Sequence, residues 1–216
     1  MRPVALIALL VLCAVAARAS AAPVPTAFRL TVVGTSTAEW DHTEHRVGLC
    51  ATTVRSVGHR AAHFHSFRPT VVRFVGRKIR TVALRGLTGT VTLTGHMTLT
   101  EICGGPETHT TDQPCAKTAR RFSDGRTSLT GGVTIRPPRA TIRRAQCPLE
   151  PADVVALPLG PAPGPLRLST STLGNRRVAK ITLRASASRR KEYGEPEAGT
   201  LEQHSTWTFT LVRVTR

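Results

Sequence analysis

The chain has 216 residues, with 30 Lys or Arg against 13 Asp or Glu and a net charge of +17 when histidines are neutral. That length supports one domain with a real core. Aromatic residues make up only 4 % of the chain, which excludes a base-stacking platform for single-stranded nucleic acid.

The N-terminus, MRPVALIALLVLCAVAARASAAP, combines a basic start at Arg2, an apolar run from Val4 to Ala17, and a small-x-small signal at Ala19-Ser20-Ala21. The run falls short of the ~20 residues that a spanning helix needs. Residues 1–21 therefore read as a secretory signal peptide cut after Ala21, and residues 22–216 as a single β-rich domain, with a subdivision near 77–88 as the alternative. The expected location is secreted or extracytoplasmic, with no transmembrane segment after cleavage. Removal of Arg2 and Arg18 leaves a charge of +15, and protonation of all eight histidines would take it to +23.

Further along, the period is two. AFRLTVVG (27–34) and its extension TSTAEWDH (35–42) read as strand, as does RAAHFHSF (60–67). Pro69 forces a break before TVVRFVG (70–76), and IRTVALR (79–85) follows. TGTVTLTGHMTLTEI (88–102) is the clearest case. Val91, Leu93, Met97 and Leu99 fall on one face and a threonine ladder on the other, with Gly95 as a bulge position.

RTSLTGGVTI (126–135), RATIRR (139–144) and LRLSTSTL (166–173) are further candidates, and Asp124-Gly125 is a tight turn. Residues 147–166 hold too much proline for regular structure and read as a crossing loop, with room for one helical turn in EPADVVAL. RVAKITLRASAS and HSTWTFTLVRV form an antiparallel hairpin, joined by a long charged loop, RRKEYGEPEAG. Short β-branched strands with Gly/Pro turns predict an all-β antiparallel sandwich, or alternatively an irregular barrel. Phe28, Trp40, Phe74, Trp207 and Phe209 are its expected buried aromatics.

Cys50, Cys103, Cys115 and Cys147 remain after signal cleavage. An even number in an exported chain predicts two disulfides. The polar, turn-rich run CGGPETHTTDQPC favours Cys103–Cys115, which leaves Cys50 to pair with Cys147.

His63 and His65 lie two apart around Phe64. On a strand they share a face with Phe67, while Ala62, Phe64 and Ser66 share the other. The Phe64 face hides more easily, leaving both histidines in water. As metal ligands they would need partners such as His59, or Asp41 and His45 from a paired strand. No cofactor is otherwise implied. No G-x-S-x-G, H-E-x-x-H, Walker or G-x-G-x-x-G motif occurs. Glu39 and Asp41 share a strand face and are the candidate carboxylates for an extracellular hydrolase.

Basic residues fall in three dense segments. Arg176, Arg177, Lys180, Arg184, Arg189, Arg190 and Lys191 form the first. Arg73, Arg77, Lys78, Arg80 and Arg85 form the second, and Arg136, Arg139, Arg143 and Arg144 the third. On one sheet face they would attract anionic cell-envelope or extracellular polymers. With no recognition helix, sequence-specific nucleic-acid reading is not expected. The leading reading is thus an exported, non-catalytic β protein that binds polyanions. A histidine-based metal-binding module and a carboxylate hydrolase stand as alternatives.

Overall fold

The computed structural model describes residues 26–75, 78–79, 82–83, 86–105, 108–124, 128–129, 134–135, 150–157 and 159–215. The signal peptide, Cys147, the Asp124-Gly125 turn, the 139–144 strand and the third basic segment lie wholly or partly outside these residues.

Seven strands carry the fold: β1 (Thr26–Val47), β2 (Ala51–Ser66), β3 (Thr70–Val75), β4 (Leu87–Ile102), β5 (Thr108–Asp124), β6 (Lys180–Tyr193) and β7 (Glu197–Arg213). They form one antiparallel sheet in the order β6-β7-β1-β2-β4-β5, with β3 continuing the line of β2 along β1 and a two-residue piece, Lys78–Ile79, beyond it. The sheet does not close on itself, so the barrel alternative is overturned.

Alternation sets the two faces. On β1, Phe28, Leu30, Val32, Ser36, Ala38 and Trp40 are buried, and the intervening residues face outward. All five expected aromatics are buried, as is Phe64. Gly34 of β1 sits between Trp207 of β7 and Phe64 of β2 in register. The two rings meet over it with centroids 4.5 Å apart, and a Cβ there would lie 2.3 Å from the Phe64 ring. A missing side chain in the central strand thus becomes a seat for its neighbours' aromatics.

Pro69 does break the edge beside β1. β2 pairs with β1 as far as Val33↔His65, and β3 resumes at Leu30↔Thr70. The Ser66 hydroxyl fills the gap, accepting from the Val32 N–H at 2.7 Å. Gly95 marks the expected bulge, at a register shift between β4 and β5.

Among the described residues the inner face is covered not by a second full sheet but by the 150–174 segment, which contributes Val154, Leu159, Leu168 and Leu173 to the core. Two short helices lie in it, α1 (Ala152–Ala156), where one helical turn was expected, and α2 (Thr170–Gly174). α2 corrects the strand expected over 166–173, of which only Leu166–Arg167 is strand.

Two loops are shorter than expected. Of the polar run 103–115 expected as a loop, the part from Thr108 belongs to β5 (Thr108–Asp124). Its residues Thr108–Pro114 are exposed on both faces, so no buried side imposes alternation, and its place at the end of the strand order tolerates Pro114. The charged run after Ser188 continues β6 to Tyr193, so the hairpin turns at Gly194–Pro196.

The disulfide pairing is corrected as well. Cys50 bonds Cys103, with Cα atoms 4.3 Å apart. The two cysteines stand one residue beyond the last rung of the β2–β4 ladder, Ala51↔Ile102. Cys115 lies opposite Gly95, eight residues along β4 from Cys103, or about 27 Å at strand rise. Across a sequence separation of 53 the bridge contributes about 4 kcal/mol in the chain-entropy picture. It ties the end of the sheet where both faces are solvated and Val47 and Leu49 are fully exposed.

Candidate functional site

The outer face is a lattice of short, mostly polar side chains whose rows follow from the registers. One row runs Arg190, Glu202, Glu39, His59, Thr94 across β6, β7, β1, β2 and β4. The next row toward the hairpin tips contains Asp41, Val57 and His96. Glu39, Asp41, Val57, His59, His96 and Glu202 line a shallow depression.

Ion pairs fill this acidic half. Arg190 reaches Glu202 at 3.2 Å and Glu192 at 3.6 Å. Arg55 grips Asp41 with two hydrogen bonds of 3.1 and 2.8 Å, which hold the Asp41 carboxyl below its ordinary range. His59 Nε2 lies 3.9 Å from Glu39. Glu39 and Asp41 do share the face, as expected. Glu39 stands directly opposite Glu202, a like-charge pair that Arg190 offsets.

The opposite half of the face is different. A row runs Lys180, Val212, Arg29, Val71 across β6, β7, β1 and β3. Four residues along the strands, another runs Arg184, Thr208, Val33, His65. Arg73 stands on the same face of β3, opposite Ala27. Arg176 and Arg177 are exposed just before β6. From Ala27 to Thr37 on β1, and on the strand positions in register with it, no acidic residue faces outward among the described residues.

The basic segment at 176–191 is therefore divided. Lys180 and Arg184 face outward in the acid-free half. Arg190 faces outward among carboxylates. Arg189 and Lys191 face inward and hold Asp153 of α1 at 2.9 and 2.7 Å. Arg29 was not singled out from the sequence. Its outward parity on β1 is readable, but its proximity to Lys180 depends on β7 lying between β1 and β6.

Hydrogen bonds from Lys191 and Arg189 hold the Asp153 carboxyl below its ordinary 3.8, against the opposing effect of burial. A depressed carboxyl adds stability that is present above the ordinary value and is lost as pH falls through the folded one. Asp153→Asn is expected to cost about 1 kcal/mol at neutral pH. In urea unfolding at a series of pH values, its gap from the parent should shrink as pH drops below 3.8. A gap that ignores pH would assign the loss to packing.

His63 and His65 are exposed and Phe64 buried, the expected partition. β1 and β2 do pair, but the register sets His63 opposite Thr35 and His65 opposite Val33, whereas Asp41 faces Val57 and His45 faces Thr53. Six residues separate Thr35 from Asp41, about 20 Å along the strand. The pairing therefore does not gather these ligands, and places His59 beside Glu39 instead. Among the described residues the one group of three potential ligands at metal-sharing distance is Cys50, Glu101 and Cys103, whose sulfurs are bonded to each other.

On the inner side Tyr193 packs edge-on against His42, and burial pushes its hydroxyl up to about 12, so it stays protonated and is no base at neutral pH. No helix among the described residues is long and apolar enough to cross a membrane. No family model matches the chain, and no curated protein matches it.

Proposed function

We propose that the protein is an exported, non-catalytic β domain that binds anionic polymers through the basic half of its outer sheet face. The observation that carries this reading is the pair of rows holding Lys180, Arg29 and Arg184, with Arg73 beside them and no outward acid among them. Cations without local counter-charges sum to a positive field, whereas Arg190 is neutralised by its neighbours. Polyanion binding of this kind releases counterions, so its affinity falls with salt.

The test is binding to dextran sulfate across a salt series. Log affinity should fall steeply with log salt. Replacing Arg29, Lys180 and Arg184 together with glutamine should weaken binding and lower the slope by about one per contacting cation. Replacing Arg189 and Lys191, which are held by Asp153, should leave it nearly unchanged. Absence of binding at physiological salt, or equal losses in both variants, would overturn the assignment.

A further inference from the structure

We infer that the partner of this basic face is an anionic lipid surface, an inference that rests on the polyanion reading and narrows it. The cations of the face are interleaved with apolar side chains. Val212 stands between Lys180 and Arg29 in register, and Val71 flanks Arg29 on the other side. Val33 stands in the Arg184 row. These valines are 44 %, 46 % and 54 % exposed. Phe67, at the end of β2, is 62 % exposed and carries the Arg68 guanidinium over its ring at 5.4 Å.

A single exposed valine needs no explanation. Three in register with cations, on outward strand positions where the same sheet elsewhere places threonine, form a mixed surface. A soluble polyelectrolyte uses only the charges, and its contact would dehydrate the valines without apolar contact in return. The interface of an anionic bilayer takes both kinds of group, phosphates meeting Arg and Lys while small apolar side chains enter the headgroup boundary. Taking neighbouring strands ~4.8 Å apart and ~3.4 Å of rise per residue, the Lys180–Val71 and Arg184–His65 rows outline a patch roughly 15 Å on a side.

The other exposed apolar group, Val47, Leu49 and Ile102 at the stapled end of the sheet, has a different setting. Its nearby Arg46 is paired with Glu44 at 2.8 Å, so among the described residues no unpaired Lys or Arg accompanies it. Binding through that end would not depend on lipid charge.

The experiment is vesicle co-sedimentation of the oxidised chain recovered from an exporting host. Vesicles are phosphatidylcholine alone or phosphatidylcholine with phosphatidylglycerol, and dextran sulfate affinity is measured in parallel. Three variants share the parent's N-terminus: Val33→Thr/Val71→Thr/Val212→Thr, which keeps β-branching; Arg29→Gln/Lys180→Gln/Arg184→Gln; and Leu49→Thr. Binding is expected only with phosphatidylglycerol. The cation variant should lose it about a hundredfold. The valine variant should lose it about tenfold while keeping parental affinity for dextran sulfate.

If the valine variant binds vesicles like the parent, or vesicles are ignored while dextran sulfate binds, the lipid assignment falls and the polyanion reading stands. If neither probe binds, both fall. If Leu49→Thr abolishes vesicle binding or lipid charge has no effect, the contact lies at the other end and the inference is overturned.

Discussion

Arg60→Ala is expected to destabilise the protein by about 3–5 kcal/mol, the range for removing one partner of a buried ion pair. Arg60 stands on the inner face of β2, between Ala38 and Leu93 in register, and is only 2 % exposed. Its guanidinium lies 3.3 Å from Glu150 and donates to the carbonyl oxygens of Val154 and Leu157, both at 2.7 Å. Those carbonyls belong to α1 and the residue after it. Five residues are too few to hold a helix by themselves, and α1 has no side-chain cap. Arg60 therefore fastens the covering segment to the sheet.

Alanine would leave Glu150 in a buried site without its counter-charge and two carbonyls without their donor. Burial lowers the Arg60 pKa and raises that of Glu150, each opposed by the partner's charge, so the attraction between the two offsets the cost of burying both. Urea unfolding of Arg60→Ala, Glu150→Gln and the double variant Arg60→Met/Glu150→Leu tests this account. The double variant should recover most of the loss, since an apolar pair of similar volume removes the desolvation cost. A single-variant loss under 1 kcal/mol, or a double variant no better than the single, would refute it.

Trp207→Ala is expected to cost about 3–5 kcal/mol, the range for deleting a large buried aromatic. Trp207 is 1 % exposed, tilts against Phe64 over Gly34, and stacks parallel to Phe209 with centroids 6.1 Å apart. Its indole N–H donates to the Ser205 hydroxyl at 3.2 Å, and that hydroxyl donates to the Pro161 carbonyl. Removal would open a void and break the relay from the sheet to its cover.

Filling the seat from the other side should also be harmful. Gly34→Ala would push a methyl into the Phe64 ring and to 2.4 Å from the Thr206 carbonyl oxygen. Backbone cannot yield there as a ring can, so overpacking of about 1–3 kcal/mol or more is expected. Near-UV circular dichroism at 25 °C and denaturant midpoints read both effects. A Trp207→Ala loss under about 1.5 kcal/mol would mean that the cover collapses into the void.

Period-two alternation made the faces of β1, β4, β6 and β7 legible, because over much of each strand one side is more buried than the other. The same parity exposed His63 and His65 while hiding Phe64. What alternation could not carry was the order of strands. Lys180 reaches the neighbourhood of Arg29 through β7, which is more than 150 residues distant from β1 in sequence, and nothing local encodes that. β5 escaped detection because its first residues, Thr108–Pro114, are exposed on both faces and have no buried side to impose a pattern. The charged end of β6 looked like a loop for a related reason. Its charges alternate between Asp153 inside, from a distant segment, and Glu202 outside, across its own hairpin. The cysteines misled because closeness in sequence suggested a local loop, whereas the antiparallel β2–β4 ladder brought Cys50 to Cys103.

The Cys50–Cys103 bond also fixes the covalent topology of the molecule. It closes residues 50–103 into a ring containing β2, β3 and β4. A protease that cuts anywhere inside that ring opens it without releasing a fragment, since both new ends stay joined through the sulfurs. The connection between β3 and β4 falls within the ring. A nick there would leave the molecule at its full mass on a non-reducing gel and split it only after reduction, whereas a cut in the long connection between β5 and α1 would separate two pieces even with the bond intact, unless a further disulfide spans it.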